Sequence, residues 1–235
     1  GVCCELVVAA HEELLDGLNE IDWPESTKEI QRNWIGKSEG VEVDFKIKDG
    51  GQFSIYTTCI ETIYGITFMV LAPDGQITKD LMPRVENKDE VQAYINETAQ
   101  KNDIDRTDTS KGKTGCELKG VFAINPVNGK EVPLYIGDFV LANYGTGAVM
   151  AVPSHDQRDF EYAVAHKLQM IQVIEGADVS EKAFEKQDYL GKGCKLLNSE
   201  EFTGLTVEEA KTAITEKLVG MGVARKKTNY HFREW

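Results

Sequence analysis

The 235-residue chain carries 39 acidic against 26 basic side chains, a formal net charge of −13, with 41% apolar and 28% charged residues. Those proportions describe a globular chain long enough to bury its own core, and a surface this acidic excludes a free-standing nucleic-acid binder that works by counterion release. No stretch approaches the roughly 18 uninterrupted apolar residues of a membrane span and no secretory signal pattern opens the chain, so a cytoplasmic protein with no membrane partner is expected.

In chain order, residues 5–18 have apolar positions at near-helical spacing. Pro24 then interrupts, and Ser26 with Glu29 has capping-box spacing for a short helix through Trp34. From Val41 the texture changes to alternation: Val41, Val43, Phe45 and Ile47 face one way while Glu42, Asp44, Lys46 and Lys48 face the other. Asp49-Gly50-Gly51 is a turn signal, and 53–57 is the returning strand of a hairpin. Residues 66–71 read as a buried strand, and 87–102 as a polar helix with Val91, Tyr94 and Ile95 as its apolar stripe. A loop-like stretch at 103–115 leads to strand-like segments at 120–124, 132–136, 139–141 and 148–152. Ser154 and Gln157 have capping-box spacing for a helix at 154–168, 170–174 reads as a strand, and 206–220 is a final helix with Thr206 and Glu209 again at capping-box spacing. Arg225, Lys226 and Lys227 read as a solvated strand. Strands this short and closely spaced predict an α+β domain with a mainly antiparallel, β-barrel-like core and flanking helices. The five cysteines, Cys3, Cys4, Cys59, Cys116 and Cys194, are odd in number and form no C-x-x-C pair, which predicts reduced thiols and no metal cluster.

Two segments are richer in polar groups than a packed core requires. In the first, 57–65, Thr57, Thr58 and Thr62 crowd a strand-to-helix junction, where hydroxyls can line a pocket or bind an ester carbonyl; threonine also simply suits strands and caps. The second is 144–160, in which glycines precede a buried strand and a helix follows. Asp159 borders that helix's apolar face of Phe160, Ala163 and Val164, so it should point towards the sheet, where a carboxylate can pair with a ligand ammonium. The alternative is an aspartate placed in the first turn by the helix dipole, which suits Asp156 better than Asp159. Ser154, His155 and Asp156 are adjacent and cannot form a nucleophilic triad. His155 and His166 lie about 16 Å apart along a helix rising ~1.5 Å per residue, too far to share a metal.

The run 144–160 (YGTGAVMAVPSHDQRDF), the threonine segment, the stretch 23–40 and the closing 229–235 together resemble leucyl-tRNA synthetase, in its inserted editing domain. The ATP-binding signatures of the synthetic site do not occur in the chain. The resemblance implies the editing fold shared with the valyl and isoleucyl enzymes, in a single domain with a core of about 36–225. On this reading 1–35 and 226–235 lead to the rest of the synthetase. The implied activity is hydrolysis of mischarged tRNA(Leu) at the ester of its 3′ end, in a pocket that excludes leucine, without a cofactor. By resemblance Asp159 would hold the α-ammonium, Thr62 would be the gate against leucine, and Thr57 and Thr58 would position the ester and the attacking water. Tyr144, Met150 and Val152, with His155, Asp156, Arg158 and Glu61, would bind the aminoacyl-adenosine.

One departure stands out. The family pattern T-T-R-P-D-T is replaced by Thr57-Thr58-Cys59-Ile60-Glu61-Thr62, which removes a guanidinium and moves the carboxylate one methylene outward. A binding module of the same fold that has lost hydrolysis is therefore one alternative, and an isoleucyl or valyl editing domain is another.

Overall fold

The computed structural model describes residues 13–101, 106, 113–143 and 145–229. They divide into two compact units, the described residues of 1–40 with 226–229, and those of 41–225. In the first unit residues 13–20 are helical, and helix α1 spans Glu25–Ile35. The expected Ser26–Glu29 capping box does not form. Pro24 is the N-cap instead, its carbonyl accepting from the N–H groups of Thr27 and Lys28 at 2.9 and 3.1 Å, so the helix starts before Ser26 can cap it.

The second unit is built on one sheet in the order β2-β1-β4-β5-β3-β6, and its last residues, Ala224 and Arg225, begin a further strand, β7 (Ala224–Asn229). Strands β1 (Ser38–Ile47) and β2 (Gln52–Thr57) form the predicted hairpin, in register from Val41 opposite Thr57 to Lys46 opposite Gln52. Its turn places Asp49, Gly50 and Gly51 at positive φ, which is why two glycines sit there. Val41, Val43, Phe45 and Ile47 are buried as the alternation predicts. Glu42, on the polar face, is buried too, because Arg225 reaches across to pair with Glu42 and Asp44.

Strand β3 (Phe68–Leu71) runs parallel to β5 (Glu131–Gly137) and antiparallel to β6 (Ala148–Ala151), while β4 (Gly115–Ile124) is antiparallel to β5. Every residue of β3 is buried. Phe68 and Val70 join Tyr135, Ala151, Tyr162 and Ala163 on the face covered by helix α4 (Gln157–His166), whereas Met69 and Leu71 join the larger core on the other face. That larger core also holds Ile60 and Ile63 of a 3-10 turn (Ile60–Gly65) and Ile214 and Leu218 of the C-terminal helix, Val207–Gly220. Helices α2 (Gln76–Leu81) and α3 (Lys88–Thr98) complete the connection from β3 to β4, and α3 buries Val91 as expected. Among the described residues, no helix is long and apolar enough to cross a membrane.

Three expectations are corrected. The sheet is open and not barrel-like: β2 and β6 are the ends of the strand order and no ladder joins them among the described residues. Strand β6 stops after four residues, where the next backbone N–H, that of Val152, goes to the Asp159 carboxylate instead of to a strand. Residues 139–141 are not a strand, because the carbonyls of Asp138 and Val140 accept from the Arg106 guanidinium, each at 2.7 Å. Residues 170–174 contribute only one isolated bridge, between Ile174 and Leu196, since the N–H groups of Val173 and Ile174 donate to the His155 ring. At the final helix, the Thr206–Glu209 capping box forms in both directions.

Leu134→Ala, at a fully buried position of β5, is expected to destabilise the chain by about 2–5 kcal/mol. Thr206→Ala should lose about 1 kcal/mol with its cap. Urea unfolding at pH 7 measures both, and equal losses would show that the central sheet does not dominate the core.

Candidate active site

Helix α4 begins at Asp156, whose carboxylate caps it by accepting from the N–H groups of Arg158 at 2.9 Å and Asp159 at 3.2 Å. The expected Ser154–Gln157 box is thus replaced by an aspartate cap two residues later. With the helix phase set there, Asp159 falls on the face turned towards the sheet. Its Oδ2 accepts from the Val152 N–H at 2.9 Å, and its Oδ1 lies 3.5 Å from the Lys113 ammonium. The Asp159 side chain is 14% exposed and that of Lys113 17%. Burial, reinforced by the negative charge of Asp156, pushes the Asp159 carboxyl up to about 6, while Lys113, the Val152 N–H and Arg158 oppose the rise.

The threonine segment lies at the end of β2. Thr57 Oγ1 accepts from the Cys59 N–H at 3.0 Å, and Thr62 donates its hydroxyl to the Cys59 carbonyl at 2.9 Å. These bonds fold the chain tightly around Cys59 and hold all three threonines in one short turn. Thr58 Oγ1 lies 3.5 Å from the Lys186 ammonium. Glu61 is fully buried, its Oε1 accepting from the Tyr189 hydroxyl at 3.0 Å, and burial raises its pKa. The Ile63 carbonyl accepts from the buried Asn125 amide at 2.9 Å, which ties the turn to the β4–β5 connection. At Gly65 a Cβ would come within 3.0 Å of Val152, so the turn packs directly against the end of β6.

Residues 183–189, which include helix α5 (Lys186–Tyr189), join these two regions. On one side the Ala183 N–H donates to Gln157 Oε1 at 3.0 Å and the Phe184 N–H to the Ser154 carbonyl at 2.9 Å. On the other, Lys186 and Tyr189 reach Thr58 and Glu61. His155 stands between them, its ring edge-on to Tyr189 with centroids 6.1 Å apart. Its Nε2 accepts from the Val173 and Ile174 N–H groups at 3.0 and 3.2 Å, which leaves the proton on Nδ1 to donate to the Phe184 carbonyl at 3.0 Å. Burial drives its pKa down to about 4.

The structure therefore brings Asp159, Asp156 and Val152 together at the β6–α4 junction, and Thr57, Thr58, Glu61 and Thr62 together in the adjoining turn. Met150 is partly buried on the same face of β6 as Val152 and packs on the larger core. His155 is committed to backbone groups through both ring nitrogens, and Arg158 is 64% exposed beside Asp156. Tyr144 lies outside the described residues. Among the described residues, no group of three or more His, Cys, Asp or Glu side chains is placed to hold a metal, and Cys59, Cys116 and Cys194 are free thiols. Sequence reasoning missed Lys113, Lys186 and Tyr189. Lys113 sits in a stretch read as a loop, and nothing local distinguishes these residues from surface lysines and a core tyrosine.

Comparison with known proteins gives the class, an editing domain of an aminoacyl-tRNA synthetase. Residues 32–219 match the family model described as leucyl-tRNA synthetase, editing domain, and the chain belongs to that family. It is 46% identical over 225 residues to a leucine–tRNA ligase of Clostridium botulinum and 44% identical to that of Clostridium kluyveri, in each case covering 95% of this chain and 26% of the relative. The chain thus spans about a quarter of the length of these curated relatives. A ternary complex of Agrobacterium radiobacter K84 agnB2 LeuRS with tRNA and LeuAMS is similar with a TM-score of 0.72 and 28% identity, over 97% of this chain and 25% of that one.

The neutral His155 ring makes stability depend on pH. Its folded-state pKa is depressed below the ordinary 6.5, so its contribution is fully present above that pH and is lost as pH falls towards 4, by roughly 3 kcal/mol for a shift of this size. Urea unfolding of the wild type and His155→Gln at pH 7 and pH 4.5 tests this: the variant should be less stable at pH 7 and lose less on acidification.

Proposed function

We propose that this chain edits mischarged tRNA(Leu), hydrolysing the ester that joins a noncognate amino acid to the 3′-terminal adenosine while excluding leucine. The observation that carries the reading is the Asp159 carboxylate, buried at the end of β6 and fixed through Oδ2, with Oδ1 turned to a cation. A partly dry carboxylate fixed in this way is suited to gripping the α-ammonium of an aminoacyl ester. Family membership supports the same reading.

Selection by fit alone is limited, since one methylene is worth only about 1–3 kcal/mol, and a second pocket that hydrolyses the wrong products makes up the difference. With Asp159 holding the ammonium, the ester carbonyl falls to Thr57 and Thr58. Thr57 uses an oxygen lone pair on the Cys59 N–H, which leaves its hydroxyl proton free to donate. Lys186 adds a positive charge beside Thr58. Water attacks the carbonyl carbon, negative charge develops on the carbonyl oxygen, and the bond to the ribose oxygen breaks with a proton delivered to that oxygen. The rate would come from orientation and from hydrogen bonds to the oxyanion. Because Thr62 spends its hydroxyl on Cys59, what it can present to an amino-acid side chain is its methyl group, a steric gate against a branched chain. His155 acts here by orienting 184 and 173–174, not as a base. The partners are the tRNA(Leu) 3′ end and the remainder of a leucyl-tRNA synthetase, for which Trp23, Ile30 and Trp34 offer exposed apolar surface in the first unit.

Asp159→Ala should lower deacylation of mischarged tRNA(Leu) about a hundredfold or more, the usual scale when one partner of a buried charge pair is removed. Thr62→Ala should admit leucyl-tRNA(Leu) to hydrolysis, and wild-type rates in both variants would overturn the assignment. Since the clamp must be ionised, kcat/KM should fall below about pH 6, the carboxyl's own range. The Cys59 departure favours a second reading, a module that binds the 3′ end without hydrolysing it. Cys59→Arg decides between them: a large gain in deacylation from a near-silent wild type supports the second, and little change supports the first.

A further inference from the structure

We propose that Lys113 is a positioning residue for the Asp159 clamp, its ammonium serving as the resident counter-charge that holds the carboxylate charged and aimed before substrate arrives. The inference rests on the reading of Asp159 as the ammonium clamp. The Lys113 Nζ is held from two sides, 3.5 Å from Asp159 Oδ1 and 4.0 Å from the centroid of the Phe139 ring. A cation between a carboxylate and an aromatic face is stabilised by both, against the burial that holds the Lys113 ammonium below the usual lysine range.

The seat is built by one residue, Asp138. Its Oδ2 accepts from the Thr114 hydroxyl at 2.9 Å, and its Oδ1 lies 3.4 Å from the Thr114 N–H. Asp138 thereby fixes the residue after Lys113 while itself preceding Phe139. Gly137 lets the Phe139 ring lie close to the sheet, since a Cβ there would fall 2.7 Å from the ring. Lysine and aromatic ring thus come from just before β4 and just after β5, paired strands that meet at a shared corner.

Among the described residues, the charged groups that act on Asp159 are Asp156 and Arg158, from its own helix and cap, and Lys113, which precedes β4. Asp156 works against ionisation, and Arg158 is exposed and already 3.4 Å from Asp156. Among the described residues, Lys113 is therefore the buried cation set against the clamp. At 3.5 Å its contact is looser than a charge-assisted hydrogen bond of about 2.7–2.9 Å, so Oδ1 keeps an acceptor site for an incoming ammonium. Without Lys113, burial and Asp156 would favour a neutral carboxyl, which cannot attract a cation.

The test follows the Asp159 carboxyl by 13C NMR titration of the full chain, beside the pH profile of kcat/KM for deacylation of mischarged tRNA(Leu). In Lys113→Met the carboxyl titration and the acid limb should both move up by roughly 1 pH unit, with the plateau at high pH retained. Lys113→Arg should restore both. Phe139→Leu, which keeps the lysine but removes its aromatic seat, should shift both the same way by less, and serves if Lys113→Met does not fold. An Asp159 titration unmoved in the folded Met variant, or in Phe139→Leu where the Met variant does not fold, overturns the proposal. So does a lowered plateau without a shifted limb, the mark of a merely structural lysine. A carboxyl that shifts while the kinetic profile stays put overturns the clamp reading instead, because the lysine then sets a charge that the reaction does not use.

Discussion

A carboxylate taken out of water is the constraint around which this domain is arranged. Asp159 sits where burial and a neighbouring aspartate both resist its charge, and what opposes them among the described residues is the buried Lys113 ammonium, one backbone N–H at the end of β6 and, less, the exposed Arg158. The first two each depend on a larger feature. The N–H is available because β6 stops at Ala151, and the lysine is in place because Asp138 pins the corner between β4 and β5. Left unpaired, a buried charge of this kind would neutralise or turn outward.

The threonine turn is held by a different logic. Its own hydroxyls close it around Cys59, the Asn125 amide anchors it to the sheet, and Glu61 reaches inward to Tyr189. The segment carrying Tyr189 is bonded in turn to the start of α4 through Phe184 and Ala183. The two halves of the candidate site are thus coupled through a third stretch of chain that contributes few reactive groups itself. Under the proposed hydrolysis such a support would keep the angle between the Asp159 carboxylate and the threonine hydroxyls, as catalysis by orientation requires. Beside Cys59, the Lys186 ammonium lies 3.5 Å from the Thr58 hydroxyl.

Much of the architecture is legible from periodicity. The alternation from Val41 to Ile47, the turn at Asp49-Gly50-Gly51 and the all-apolar β3 each depend on interactions within a few residues or on burial of a whole face. Closure of the sheet, the strands at 139–141 and 170–174, and two of three capping boxes are not legible there. For the sheet and the strands a group from elsewhere in the chain took the backbone bonds that local pattern had assigned: Asp159 at Val152, Arg106 at Asp138 and Val140, and His155 at Val173 and Ile174; at the two boxes a close neighbour did, the Pro24 carbonyl and the Asp156 carboxylate. At the third box, Thr206–Glu209, no such competitor intervenes.

By itself, the order of residues determined the α+β class, the hairpin, the final capped helix, the family, and the inward turn of Asp159, since helical phase alone carries that residue towards the sheet. Only the tertiary structure decided what Asp159 meets there. Lys113 precedes it by 46 positions and Phe139 by 20, and Tyr189 follows Glu61 by 128, separations that no local period spans. The charge state of a buried group is set by whatever the fold lays against it, and that is a property of packing.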